Sequence, residues 1–454
     1  MMADPKSYRS WLPVIVVGVV ALVLAERLFL LVSRYAVNIF FSDQWEFSSA
    51  TVFERHSLWQ IFTWQHGPHR QGLGGVLVKW IEPHFRFDSR SESFLVAGIL
   101  VLAMLLAVWL KVRISDRIDY YDAAIPSFVL TATQCEVIFG ATNLAHGSLP
   151  LLLIILYGLS WTIASPIARF AAVLVVNFLL VFTGFGLLMG VVSPVAILVS
   201  LWMSSGSRRN LEVHLAALAL ALLSLAVFFL HYAWNPAVDC FDSALVSRSW
   251  LDYLHFAALM CANYAGFDGL TSRHPWVWGA ALLALLSLAL LAVVVRIARG
   301  RGIAREASTG LVVSFALLTF SVVFCAAVAH GRLCLGFAAA QESRYMPYLT
   351  PGFLGAYFCL RQSKAQPWVR HAALAGFLAA SVYAGWPVHL GDQLEISGFH
   401  STKLNWKNCY LATRNIAFCN RQVGRRITNP AEAANLQRKL DYLERENLNL
   451  FDGR

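Results

Sequence analysis

The chain has 454 residues, 58% of them hydrophobic and only 14% charged, where a soluble protein carries about a quarter charged residues. Its Leu, Ala and Val runs reach the roughly 20 residues needed to cross a bilayer. That excludes a soluble globular fold, and the formal charge of +10 then reads as a topology signal rather than as nucleic-acid binding.

Hydropathy predicts an all-α, polytopic membrane helix bundle of about eleven transmembrane helices. In chain order the expected spans are 11–33, 93–110, 123–141, 148–164, 170–184, 187–203, 213–232, 276–296, 308–330, 346–361 and 371–388. The first follows "MMADPKSYRS" and has no small-residue cleavage pattern after it, so it reads as a retained span rather than a signal peptide. The fifth and sixth meet at "FTGFG" (182–186) as a full hairpin or a re-entrant pair.

The short loops "KVRISDR" (111–117), "SSGSRR" (204–209), "RIARGRGIAR" (296–305) and "RQSKAQPWVR" (361–370) are rich in Lys and Arg and fall on one side if the span count holds. That side, with the N-terminus, is expected to be cytoplasmic. Segments 34–92, 233–275, 331–345 and 389–454 then lie outside. The expected organisation is a transmembrane domain over 1–388, with a helical first outer loop at 34–92, followed by a small C-terminal extracytoplasmic tail at 389–454. Within the tail, 431–451 reads as an amphipathic helix.

Polar residues gather in three outer places. "FSDQWEF" (41–47) follows the first span, and Asp43 and Glu46 share a face if helix continues there. "HGPHRQ" (66–71) adds His66, His69 and Arg70, and a guanidinium suits phosphate oxygens. The plainer readings are a helix cap for Asp43 and a solvated turn at Gly67-Pro68. "ATNLAHGSLP" (141–150) places Asn143 and His146 in a short outer turn after Glu136. "HGRLCLGFAAAQESRYM" (330–346) brings Arg332, Glu342, Arg344 and Tyr345 before a late span. Such a set can hold a phosphate-bearing lipid headgroup and deprotonate an acceptor hydroxyl, with a carboxylate as base. Arg and His would offset charge on a leaving phosphate, or a divalent metal ion held by Asp43, His66 and His69 would do so.

This order resembles the GT-C class of membrane glycosyltransferases, which use polyprenyl-phosphate-linked sugars as donors and carry an acidic residue in the first outer loop. More narrowly it is similar to a bacterial, largely uncharacterised GT-C-like group with a "D-x-W" after span one, an "H-x-E-H-R"-like stretch and a late "S-R-Y". The counterparts here are Asp43 with Trp45, "HGPHR" (66–70) and "SRY" (343–345), and Pro68 stands where the group has an acid. The resemblance implies a bacterial inner-membrane enzyme that moves a sugar from a polyprenyl-phosphate donor to a glycan, lipid or protein acceptor outside. Asp43 and Glu46 would be catalytic, and His66, His69, Arg70, Asn143, His146, Arg332, Arg344 and Tyr345 would bind donor phosphate or substrate. The alternatives are a transporter or flippase for a lipid-linked or anionic substrate, with polar groups such as Glu26-Arg27 near the midplane, and a non-catalytic component of envelope polysaccharide assembly.

The eight cysteines show no zinc-site spacing. Cys409 and Cys419 lie close together in the outer tail, where a disulfide persists, and they are expected to bridge a helical hairpin or turn; the plainer reading is two free thiols.

Overall fold

The computed structural model describes residues 5–54, 56–204, 208–234, 249–300, 305–429 and 433–453. Parts of the expected 296–305 loop, of the 233–275 segment and of the 431–451 helix lie outside these. Among the described residues the fold is all-α apart from one short antiparallel hairpin of β1 (Gln65–His66) and β2 (His69–Arg70).

Seven helical stretches are long and apolar enough to cross a membrane. They coincide with seven of the eleven expected spans: 11–33, 93–110, 187–203, 213–232, 276–296, 308–330 and 371–388. The helices are α1 (Pro5–Tyr35), α5 (Ser89–Ser115), α10 (Leu187–Met203), α11 (Arg208–Phe228), α13 (Pro275–Arg299), α14 (Arg305–Arg332) and α16 (Pro367–Gly385). Local chemistry sets their ends. Asp88 caps α5 by accepting from the Arg90 N–H at 2.9 Å, and Asp116 closes it in the left-handed region at φ 60°. Pro275 and Pro367 open α13 and α16, where a missing N–H costs nothing.

The other four expected spans differ. Residues 148–164, 170–184 and 346–361 form α8 (Ser148–Trp161), α9 (Pro166–Val181) and α15 (Met346–Arg361), of 14, 16 and 16 residues, each shorter than a full crossing. Residues 123–141 do not form one helix. They fold as a 3₁₀ turn (Tyr120–Ala123), α6 (Ala124–Val129), a second turn (Ala132–Gln134) and α7 (Cys135–Phe139). Side chains compete with the helix here: Thr131 Oγ1 accepts from the Thr133 N–H, and Gln134 Nε2 donates to the Val129 and Thr131 carbonyls.

The bundle has two chemically distinct ends. At the end carrying the basic loops, Lys111 of α5 pairs with Asp122 at 2.5 Å, Tyr357 of α15 donates to the same carboxylate, and Arg361 pairs with Asp119. The opposite end carries the loop after α1, which contains α2 (Gln44–Ser48), a π-helical turn (Ser49–Phe53), α3 (Leu58–Thr63) and α4 (Gly72–Ile81). The helix α12 (Trp250–Tyr264) packs against α13 and against the turn Phe337–Gln341, and Asn263 Nδ2 donates to the Gln341 carbonyl at 2.6 Å.

The tail forms α17 (Leu390–Thr413), α18 (Ile416–Val423) and α19 (Leu436–Arg445). Cys409 and Cys419 are disulfide-bonded, with Cα atoms 5.7 Å apart. The tail is stitched onto the first loop: Ser42 N–H donates to Ile427 O at 2.8 Å, Lys439 Nζ to Trp45 O at 2.5 Å, and Asn449 N–H to Arg86 O at 2.9 Å. Leu436, Leu440 and Leu443 are buried beneath α19, a period that matches one helix face.

Candidate functional site

The site begins where α1 ends. Phe40 and Phe41 are buried, and Ser42 takes a left-handed backbone at φ 53°, which turns the chain into α2. Trp45 is fully buried, with its ring edge-on to Phe40 at 5.5 Å. That anchor leaves Asp43 and Glu46 half-buried on the other side of α2. Asn429 of the tail bridges them, its Nδ2 lying 3.2 Å from Asp43 Oδ1 and 3.2 Å from Glu46 Oε2.

Asp43 lines a cavity of about 360 Å³ together with Glu136, Glu342, Arg344, Glu395 and Arg425. Three hundred residues of chain separate the first and later members, and the fold closes the distance. The Arg344 guanidinium pairs with Glu342 and lies 3.8 Å from Glu136. Burial works against that charge, but the two carboxylates outweigh it and raise its pKa further, so Arg344 is cationic throughout the working range. The "SRY" stretch is a 3₁₀ turn (Ser343–Tyr345) ahead of α15. Ser343 Oγ accepts from the Glu136 N–H at 2.8 Å and donates to Glu395 at 3.4 Å, which fixes the cavity's wall. Tyr345 is buried, with the Arg344 guanidinium 5.8 Å above its ring.

A cluster of imidazoles adjoins the acidic pair. His66 Nδ1 lies 2.9 Å from Glu46 Oε1. Burial pushes the Glu46 carboxyl up, yet His66, Asn429 and Lys439 together hold it below its usual range. His69 and His146 meet edge to face at 4.9 Å, and Phe47 packs on both His66 and His146. His69 Nδ1 donates to the Gly184 carbonyl at 3.1 Å. Burial, the Arg332 charge and His66 hold its pKa at about 3, so it is a neutral imidazole at ordinary pH. His146 is likewise held well down by burial and by His69. Two glycines allow this approach. A Cβ on Gly72 (φ +51°) would stand 2.3 Å from the Phe182 carbonyl oxygen, and one on Gly184 (φ +35°) 2.4 Å from Tyr348 Oη.

Several expected site residues stand apart. Arg70 is buried and donates to the Phe228, Leu230 and Thr63 carbonyls, with its guanidinium 5.3 Å over the Phe228 ring. It ties the end of α11 to the hairpin. Asn143 caps the turn Leu144–His146, accepting from the Ala145 N–H at 2.7 Å, and faces a separate cavity of about 30 Å³ with Gln44, Gln71 and Glu92. Asp43, His66 and His69 do not converge as a metal cage. No group of three or more His, Cys, Asp or Glu side chains does so among the described residues. Conversely, Glu395, Arg425 and Asn429 carry no motif.

Compared with protein-family models, curated proteins and solved structures, the chain matches none.

Proposed function

We propose that this chain is a membrane glycosyltransferase of GT-C type, moving a sugar from a polyprenyl-phosphate donor to a glycan, lipid or protein acceptor at the end of the bundle where Asp43 lies. One observation carries the reading: Asp43, directly after α1, and Arg344, directly before α15, line the same cavity of about 360 Å³, a volume suited to a small polar ligand. In this reading Asp43 accepts the proton of the acceptor hydroxyl as it attacks the anomeric carbon. Arg344 and Arg425 oppose the charge gathering on the departing phosphate. Glu136 and Glu395 accept hydrogen bonds from sugar hydroxyls, a role their carboxylates suit.

The reading includes eleven crossings of a bacterial inner membrane, with the broken 120–146 segment and the three shorter helices making the remaining four. Both termini then follow the expected orientation, N-terminus cytoplasmic and C-terminus periplasmic. Non-helical backbone at membrane depth is tolerated where it is buried in protein, and residues 122–135 are all buried.

The test is genetic and chemical together. A strain lacking the chain is complemented with the wild type or with Asp43→Asn, and extracytoplasmic glycan is compared at equal membrane expression. Asp43→Asn is expected to fail while retaining normal thermal stability. Full restoration of the glycan by that variant would reject the role of Asp43, and with it the reading.

A further inference from the structure

The end of the bundle opposite Asp43 holds a second, larger cavity of about 770 Å³ among α8, α9, α10, α11 and α14. Among the described residues that line it, none is acidic. Arg169 of α9 and Arg209 of α11 both border it, and Ser200, Ser204 and Ser308 add hydroxyls. The first turns of α9 and α11 face it, so their partial positive charge adds to the guanidinium charge. The wall is built rather than loose. His214 is buried, with its Nε2 3.2 Å from Ser200 Oγ and its Nδ1 2.7 Å from the Asn210 carbonyl. Arg169 Nε donates to the Ile163 carbonyl at 3.0 Å. Arg209 is exposed at the rim, and the nearest acid along α11, Glu212, pairs with Arg208.

We propose that this cavity binds a phosphate-bearing anion, and that its position suits the headgroup of an anionic phospholipid. Two features of the setting favour the lipid. Trp11, Trp202 and Trp368 stand exposed at this end of their helices, the level at which indole rings sit between acyl chains and headgroups. Ile167 of α9, which lines the cavity, is also 62% exposed, so the cavity reaches the apolar outer surface of that helix. Basic pockets of this kind between transmembrane helices take anionic headgroups. A soluble phosphate compound would meet the same chemistry. The proposal is independent of the sugar-transfer reading, because no residue is shared between the two cavities.

The test uses the full chain in nanodiscs of phosphatidylcholine alone or with phosphatidylglycerol, and in detergent with inorganic phosphate, with thermal unfolding as readout. Arg209 is the residue to change, since its side chain lies at the rim and a substitution leaves the helix packing intact. Phosphatidylglycerol should stabilise the wild type above phosphatidylcholine, and Arg209→Ala should weaken that apparent affinity about tenfold, the loss expected for one charge-assisted hydrogen bond. Arg209→Lys should retain part of it and Arg209→Glu none. Stabilisation by inorganic phosphate that depends on Arg209, with no preference between the lipids, would keep the anion site and assign it to a soluble ligand. Equal stability in both lipids with no phosphate effect would overturn the proposal. So would a phosphatidylglycerol effect unchanged in Arg209→Glu.

Discussion

The two ends of the bundle use charge in opposite ways. At the end with Asp43, four carboxylates and two guanidiniums share one cavity, and the acids are left partly open to it. At the other end, the acids Asp119 and Asp122 are consumed in ion pairs with Arg361 and Lys111, and the polar residues among those described around the larger cavity are cations, hydroxyls, an amide and an imidazole, with no acid. A buried pair contributes to holding helices together only while it stays complete. A half-open carboxylate contributes little to folding and remains available for chemistry. The same residue types therefore serve structure at one end and, on our reading, reaction at the other.

The sharpest test of that contrast is to remove one partner of the Lys111–Asp122 pair. Lys111→Met leaves a buried carboxylate with only the Tyr357 hydroxyl and the Asp119 N–H as partners, and a loss of about 3–5 kcal/mol is expected, measured by unfolding in mild detergent. Asp43→Asn should move the same measurement by less than about 1 kcal/mol. If the two variants proved equally destabilising, the acids at the two ends would not differ in role.

The disulfide comes next. Replacing Cys409 and Cys419 by serine releases a loop with a separation of 10 residues, and about 3 kcal/mol of stability should be lost from the tail by the entropy of loop closure. Because the tail supplies Asn429 and Arg425 to the site, hydrogen exchange in the loop 41–47 should rise in step. Exchange confined to α17 and α18 would separate the tail from the site.

A third test concerns protons. His69 is neutral in the fold down to about pH 3, while an unfolded histidine titrates near 6.5. Its folded pKa is depressed, so the unfolded chain binds the extra proton first. Stability is therefore lost as pH falls below 6.5, by about 2 kcal/mol at pH 5 from this one group. His69 is faced by His66, His146, Arg332 and Arg344, all cationic or able to become so, and none would favour its protonation. His69→Gln should flatten the decline between pH 7 and pH 5; an unchanged slope would move the effect to other groups.

A smaller effect is expected at Asn429. Asn429→Ala removes the donor shared by Asp43 and Glu46 and should cost about 1–2 kcal/mol. It should also bring the two carboxylates into closer conflict, so that activity falls further at high pH than at low pH. A variant with wild-type stability and pH profile would show that the bridge does not position the acids.

Much of this architecture was legible in the chain. Seven of the expected spans appear as long apolar helices, because an unbroken apolar run of that length has few alternatives in a bilayer. Cys409 and Cys419 could be paired as a possibility from their spacing alone. The break in 123–141 was written in its Thr, Gln and Gly residues, but hydropathy averages over them and reports only an apolar window. Arg70 shows the limit in the other direction. Its neighbours suggested a phosphate ligand, whereas three carbonyls from α3 and the end of α11 use its donors, and no local pattern announces a partner 160 residues away.

The sequence by itself determined the class of protein, the position of the membrane-length helices and the places where polar residues accumulate. These follow from short-range quantities: hydropathy, helix caps and the bias of Lys and Arg among loops. Only the tertiary structure decided which polar residues share a cavity. It joined Asp43 to Arg344 and Glu395, placed His69 and His146 against each other, and sent Arg70 and Asn143 to structural posts. The physical reason is that a buried charge is placed by whichever partner satisfies it at least cost, and those partners come from segments hundreds of residues apart that only packing brings together.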